Sequence, residues 1–124
     1  MQRNLLRVAS AFLIVIGLTA CSTVARAVDA APVVVVTHVD VAPPRVAEAL
    51  ALLKGYAGTT RKEPGNLEVE LLRQTNGNHF TLVERWANLA THENHVASPA
   101  TRGFHQRFDA MLGSPHDERL YREL

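Results

Sequence analysis

Residues 78–108 read NHFTLVERWANLATHENHVASPATRGFHQRF, and their pattern decides the fold. Side chains of a strand alternate with a period of two, so Asn78, Phe80, Leu82, Glu84 and Trp86 fall on one face. Asn88 is a favourable N-cap and opens a short helix over Leu89–Ala97. On that helix His92 and His95 are three residues apart and therefore neighbours. Ser98-Pro99 supplies an N-cap and a first-turn proline for a second helix, whose apolar stripe is Phe104, Phe108 and Met111. The stretch holds four of the six histidines and the only tryptophan of the chain. An aromatic, a carboxylate and several imidazoles thus converge near one apolar wall. No metal motif, nucleophile motif or phosphate loop appears elsewhere.

Working outward, Thr75-Asn76-Gly77-Asn78 signals a tight hairpin, because Asn-Gly supplies positive φ angles. Before it, Leu67–Gln74 alternates Leu67, Val69 and Leu71 against Glu68 and Glu70. Glu63-Pro64-Gly65-Asn66 is a turn. Upstream, Pro43 and Pro44 open a helix with Val46, Ala49, Leu50, Leu53 and Ala57 at helical spacing, and it is expected to fray through Gly55 and Gly58. Pro32–Val41, PVVVVTHVDV, is the first strand, with His38 and Asp40 on the face of Val34 and Val36. The tail from Glu118 to Leu124 alternates and reads as a closing strand. The order β-α-β-β-α(α)-β is the ferredoxin-like pattern of an α+β domain: a four-stranded antiparallel sheet with helices on one face. Val33, Val35, Val39, Leu67, Val69 and Leu71 are expected on the uncovered face. An apolar patch of that size predicts a homodimer packed sheet to sheet.

The chain begins MQRNLLRVASAFLIVIGLTAC. Arg3 and Arg7 precede an apolar run, Val8–Ala20, of 13 residues, shorter than the roughly 18 a membrane span needs. Residues 1–20 read as a signal peptide, 21–31 as a tether and 32–124 as the folded domain. Leu18-Thr19-Ala20-Cys21 resembles a lipobox, which implies lipidation of Cys21 and a membrane anchor. Ala25-Arg26-Ala27 offers an ordinary cleavage site instead. Either way the domain is expected outside the cytoplasm. Cys21 is the only cysteine, so the domain carries no disulfide and no thiol chemistry. Without residues 1–20 the chain has 11 basic and 12 acidic side chains, which leaves no basic footprint for nucleic acid.

Five segments together resemble the antibiotic biosynthesis monooxygenase domain of the dimeric α+β barrel type. They are Thr37–Pro43, Glu63–Leu67, Asn78–Trp86, Ala90–Ser98 and Ser114–Leu124. The resemblance covers residues 33–124 and implies an oxygenase without metal or flavin, acting on a quinol or polycyclic phenol with dioxygen as co-substrate. A phenolate can pass an electron to dioxygen if a base removes its proton and a dry pocket holds the radical pair. Histidine suits that base at neutral pH. His95 matches the histidine of the family's helix pattern and takes this role, with His38 as the second catalytic candidate.

Trp86 is expected either to wall the pocket and stack on a flat substrate or to be plain core. Glu84 either orients a histidine or pairs with Arg102 or Arg119. Asn94 is a candidate hydrogen-bond donor to oxygen, Phe104 and His105 are candidate pocket residues, and His79 is expected at the surface. The same superfamily includes haem-degrading enzymes, which makes His105 a candidate haem ligand, although His38 and His95 depart from the pattern those enzymes show. A zinc site of His92, His95 and Glu84 has a permitted spacing but no HExxH or cysteine set. A different class is a non-enzymatic dimer that binds a small hydrophobe in the same pocket.

Overall fold

The structure, a computed structural model, describes residues 30–75 and 77–124. The expected signal peptide, Cys21 and the tether up to residue 29 lie outside the described residues, as does Asn76 of the expected hairpin turn. Strand β1 is Val33–Asp40, helix α1 is Val46–Thr60, β2 is Asn66–Arg73 and β3 is His79–Trp86. Helix α2, Leu89–Ala97, and α3, Pro99–Phe108, follow, and β4, Asp117–Arg122, closes the chain. The four strands form one antiparallel sheet in the order β2-β3-β1-β4, the ferredoxin-like arrangement, with the helices on one face. No helix among the described residues is long and apolar enough to cross a membrane.

Local chemistry sets the helix boundaries. The Asn88 side chain accepts from Thr91 N–H at 2.9 Å, and Thr91 returns a bond to the Asn88 backbone, which closes a capping box. Ser98 Oγ accepts from Thr101 N–H at 3.1 Å, with Pro99 in the first turn of α3. Helix α1 does not fray at its glycines but continues to Thr60. Two glycines cost it about 1 kcal/mol each against alanine. Burial of Ala49, Leu53, Ala57 and Thr60 along one stripe outweighs that. The Arg61 guanidinium also donates to the Val69 carbonyl at 2.7 and 3.0 Å and ties the helix end to β2.

The sheet's covered face corrects one expectation. Val33, Val35, Val39 and Val69 lie beneath the helices, buried with Phe80, Leu82 and Leu53. The registers Val33↔Trp86, Val35↔Glu84 and Val69↔Glu84 put them on the face of Glu84 and Trp86. The uncovered face instead carries the opposite parity, with Val34, Val36, Val83, Leu72 and Tyr121. Leu72 and Tyr121 are about half exposed there. Charges are interspersed, and Arg85 pairs with Glu68 and with Glu123. A run of four valines is apolar at both parities, so alternation alone could not tell which set the helices cover.

Candidate active site

A narrow cleft runs between the sheet and helices α2 and α3. Its floor is Leu53, Leu82 and Phe108, and its polar wall is Glu84, His92 and His95. Val96, His105, His116 and Glu118 stand at the more exposed mouth.

Four elements meet at one histidine in the wall. His95 sits on α2 with its side chain 2 % exposed. Its Nδ1 is 2.7 Å from Glu63 Oε2, and its Nε2 is 2.7 Å from the Tyr56 hydroxyl. Tyr56, on α1, donates to Glu84 Oε1 at 3.0 Å, and Trp86 Nε1–H donates to Glu84 Oε2 at 3.0 Å. The result is one continuous chain of polar contacts, Glu63–His95–Tyr56–Glu84–Trp86. Thr101 Oγ1 lies against the edge of the His95 ring, 3.3 Å from Nδ1. The Trp86 ring flanks His95 at 4.7 Å between centroids, and the Tyr56 ring stacks on Phe104 at 4.2 Å.

Each member has a local reason to be there. Glu63 sits in the turn after α1, where Gly65 takes φ +84, a conformation glycine enters without steric cost. That turn packs so closely on the α2 cap that a Cβ on Gly65 would stand 2.4 Å from Thr91 Cγ2. Glu84 and Trp86 are two residues apart on one strand and therefore share a face.

The chain of contacts has a simple proton count. A carboxylate only accepts, and a phenol has one hydrogen. When Tyr56 donates to Glu84, His95 meets both Tyr56 and Glu63 as a donor, which is the imidazolium. When His95 is neutral and donates Nδ1–H to Glu63, Nε2 accepts the Tyr56 hydrogen. The two states differ by a proton and a hydroxyl rotation, so the group can take up a proton without moving heavy atoms. Burial, reinforced by the charge of Glu84, raises the Tyr56 pKa, and the phenol stays neutral. Burial lowers that of His92, which favours its neutral imidazole.

The other expected site residues divide plainly. Glu84, Phe104 and His105 line the cleft with His95. Trp86 is fully buried and does not line it; it lies behind, holding Glu84. Asn94 is exposed and away from the cleft, because helical geometry turns it off the face shared by His92 and His95. His38 is on the opposite face of the sheet, 3.0 Å from Thr81 Oγ1, and cannot act with His95. Neither Arg102 nor Arg119 pairs with Glu84. Arg119 instead grips Asp117 at 2.8 Å, since odd-numbered β4 residues face away from the helices. His79 is at the surface, paired with Asp40.

The zinc set of His92, His95 and Glu84 does not form, because both His95 nitrogens are engaged by Glu63 and Tyr56. A haem does not fit either. Tyr56, His95 and Glu84 bridge the cleft wall, Trp86 and Asn94 do not face it, and His105 lies at the mouth. Tyr56 and Glu63 were not among the expected site residues. Tyr56 carried one faint signal, a polar-tipped aromatic three residues after Leu53 on the α1 stripe.

The family model described as antibiotic biosynthesis monooxygenase matches residues 32–107. No curated protein matches the chain. A conserved protein from Methanosarcina mazei Go1 superposes with a TM-score of 0.72 at 21 % identity, covering 80 % of this chain and 99 % of its own. A Mycobacterium tuberculosis protein gives 0.72 at 23 %, covering 76 % and 96 %. A mutant of SnoaB, a cofactor-independent oxygenase from Streptomyces nogalater, gives 0.68 at 18 %, covering 74 % and 92 %. At these identities the likeness is one of fold.

Proposed function

The chain belongs to the antibiotic biosynthesis monooxygenase family, and from that premise we propose that it is a cofactor-independent monooxygenase oxidising a quinol or polycyclic phenol with dioxygen. The observation that carries the reading is His95, buried in the cleft wall between Glu63 and Tyr56. A general base needs an acceptor within reach of the substrate proton and a partner that stabilises its charged form. Tyr56 lines the cleft and Glu63 stands behind the imidazole.

In the proposed step a substrate hydroxyl lies against the Tyr56 oxygen. Its proton passes to that oxygen as the Tyr56 hydrogen moves to His95 Nε2, and Glu63 faces the resulting imidazolium. The substrate oxyanion then gives one electron to dioxygen, and the radical pair recombines as a carbon–oxygen bond. With hydroquinone, one dioxygen yields one hydroxyquinone and one water, so atoms and electrons balance without an added reductant. The apolar floor excludes water while the radicals persist.

The test is oxygen uptake by chelator-treated protein over a panel of hydroquinones and anthrone-like phenols. Uptake lost in His95→Ala supports the proposal. Tight binding of the same compounds without uptake replaces it with a binding protein.

Two further parts of this reading concern assembly and place. The uncovered sheet face, centred on Val34, Val36 and Val83, is the surface proposed for a second copy, which sedimentation equilibrium tests. Export and a lipid anchor on Cys21 are proposed from the sequence alone, and labelled fatty-acid incorporation lost in Cys21→Ser tests them.

A further inference from the structure

At the cleft mouth, two imidazoles and a carboxylate converge from three segments. His105 is on α3, Asp109 is in the short 3-10 turn that follows, and His116 is on the loop leading into β4. Their ligand atoms all lie within 4.8 Å of one another. Asp109 Oδ1 stands 3.7 Å from His105 Nδ1 and 3.8 Å from His116 Nδ1. These separations are too long for hydrogen bonds. The three groups are gathered at ion-pair distance without hydrogen-bonding one another.

We propose that His105, Asp109 and His116 form a site for a first-row divalent transition metal. Two imidazole nitrogens and one carboxylate oxygen suit zinc, cobalt, nickel, copper or iron(II), and they disfavour the harder calcium and magnesium. Around a tetrahedral ion with bonds near 2.0–2.1 Å, ligand atoms stand about 3.3 Å apart. Reaching that geometry asks the two Asp109–histidine separations to shorten by about half an ångström, and the His105–His116 separation, within 4.8 Å at present, by up to about 1.5 Å.

The scaffold supports the placement. His105 and Asp109 are four residues apart and project on the same side of consecutive helical turns. The loop that carries His116 is fixed at its start. Gly113 N–H donates to the Asp40 carbonyl at 2.7 Å, and Ser114 Oγ–H donates to Asp40 Oδ2 at 3.0 Å. The far side is the start of β4, an edge strand paired with β1 from His38↔Asp117 onward, whose side chains are all exposed. A cation held by His105, Asp109 and His116 would fasten the entry of β4 to the helical layer. Because His105 and His116 also line the cleft, the ion would stand at its entrance. This site does not depend on the proposed oxygenase reading.

Titration of the chelator-stripped full chain with zinc, followed by calorimetry, tests it, with cobalt(II) absorption reporting the ligand set. One zinc per chain is expected, with affinity falling at least about tenfold in both Asp109→Asn and His116→Ala. His38→Ala, on the opposite sheet face, serves as the control and should bind as the parent does. The cobalt spectrum should show nitrogen and oxygen ligation that is lost in the same two variants. Absence of stoichiometric binding, or binding unchanged in both variants, would overturn the site.

Discussion

The Tyr56 hydroxyl stands 2.7 Å from His95 Nε2 and, on its other side, 3.0 Å from Glu84 Oε1. One atom thereby joins α1, α2 and β3, and it does so on the wall of the cleft.

Tyr56→Phe removes that atom and little else. The ring keeps its stack on Phe104, while Glu84 Oε1 loses its donor inside the protein. A buried acceptor left unpaired costs about 1–3 kcal/mol. Urea unfolding should register a loss of that size. If the hydroxyl carries the proton to His95, kcat for quinol oxidation should fall by about tenfold or more, with KM nearly constant. A variant destabilised as expected but fully active would remove Tyr56 from the proton path.

Gly65→Ala should be damaging far beyond its size. The position has φ +84, and the new Cβ would meet Thr91 Cγ2 at 2.4 Å, within the α2 cap. Strain of this kind costs about 1–3 kcal/mol. Because the same turn carries Glu63, oxygen uptake should fall together with the denaturation midpoint. Gly65→Ala that unfolds at the parent's urea concentration would contradict the close approach.

How far the sequence speaks is clearest at the helix caps. Asn88 and Ser98 each act on backbone groups three residues away, so a local string contains the whole cause, and both helices begin where it says. The ferredoxin-like order follows equally well from alternation and turns. The site is another matter. Glu63 and Tyr56 meet His95 from 32 and 39 residues away, a distance no spacing rule encodes. The turn Glu63-Pro64-Gly65-Asn66 announced its geometry but not that its first residue would face an imidazole. His38 shows the converse problem. Its strand parity was legible, but whether that parity faced helices or solvent depended on packing against Leu53 and Phe80.

Gly55→Ala and Gly58→Ala should each stabilise the chain. Both glycines lie inside α1, and a Cβ at either position meets nothing within 4 Å. Alanine restricts the unfolded chain and favours the helix by about 0.5–1 kcal/mol per site. Chemical denaturation of the single and double variants should show gains that nearly add. A loss at either site would mean that the glycine serves a contact absent from a single chain, such as a partner subunit.

The remaining prediction concerns acid. Burial holds His92 below its ordinary pKa of 6.5, and the neighbouring His95 adds to the effect, while Glu118, Glu84 and Glu93 oppose it. The native protein therefore keeps this imidazole neutral where the unfolded chain already takes up a proton. The sign follows from that difference: His92's contribution is complete above about pH 6.5 and is lost as pH falls toward its lower native value. Below both values the two states bind the proton alike and the loss stops growing. His92→Gln keeps a neutral polar side chain and removes the titration. Its stability should drop less than the parent's between about pH 7 and pH 5, as read from urea midpoints at the two values. Equal drops in the two proteins would mean that His92 charges in the native state as readily as in the unfolded one, contrary to its enclosure between Trp86 and His95.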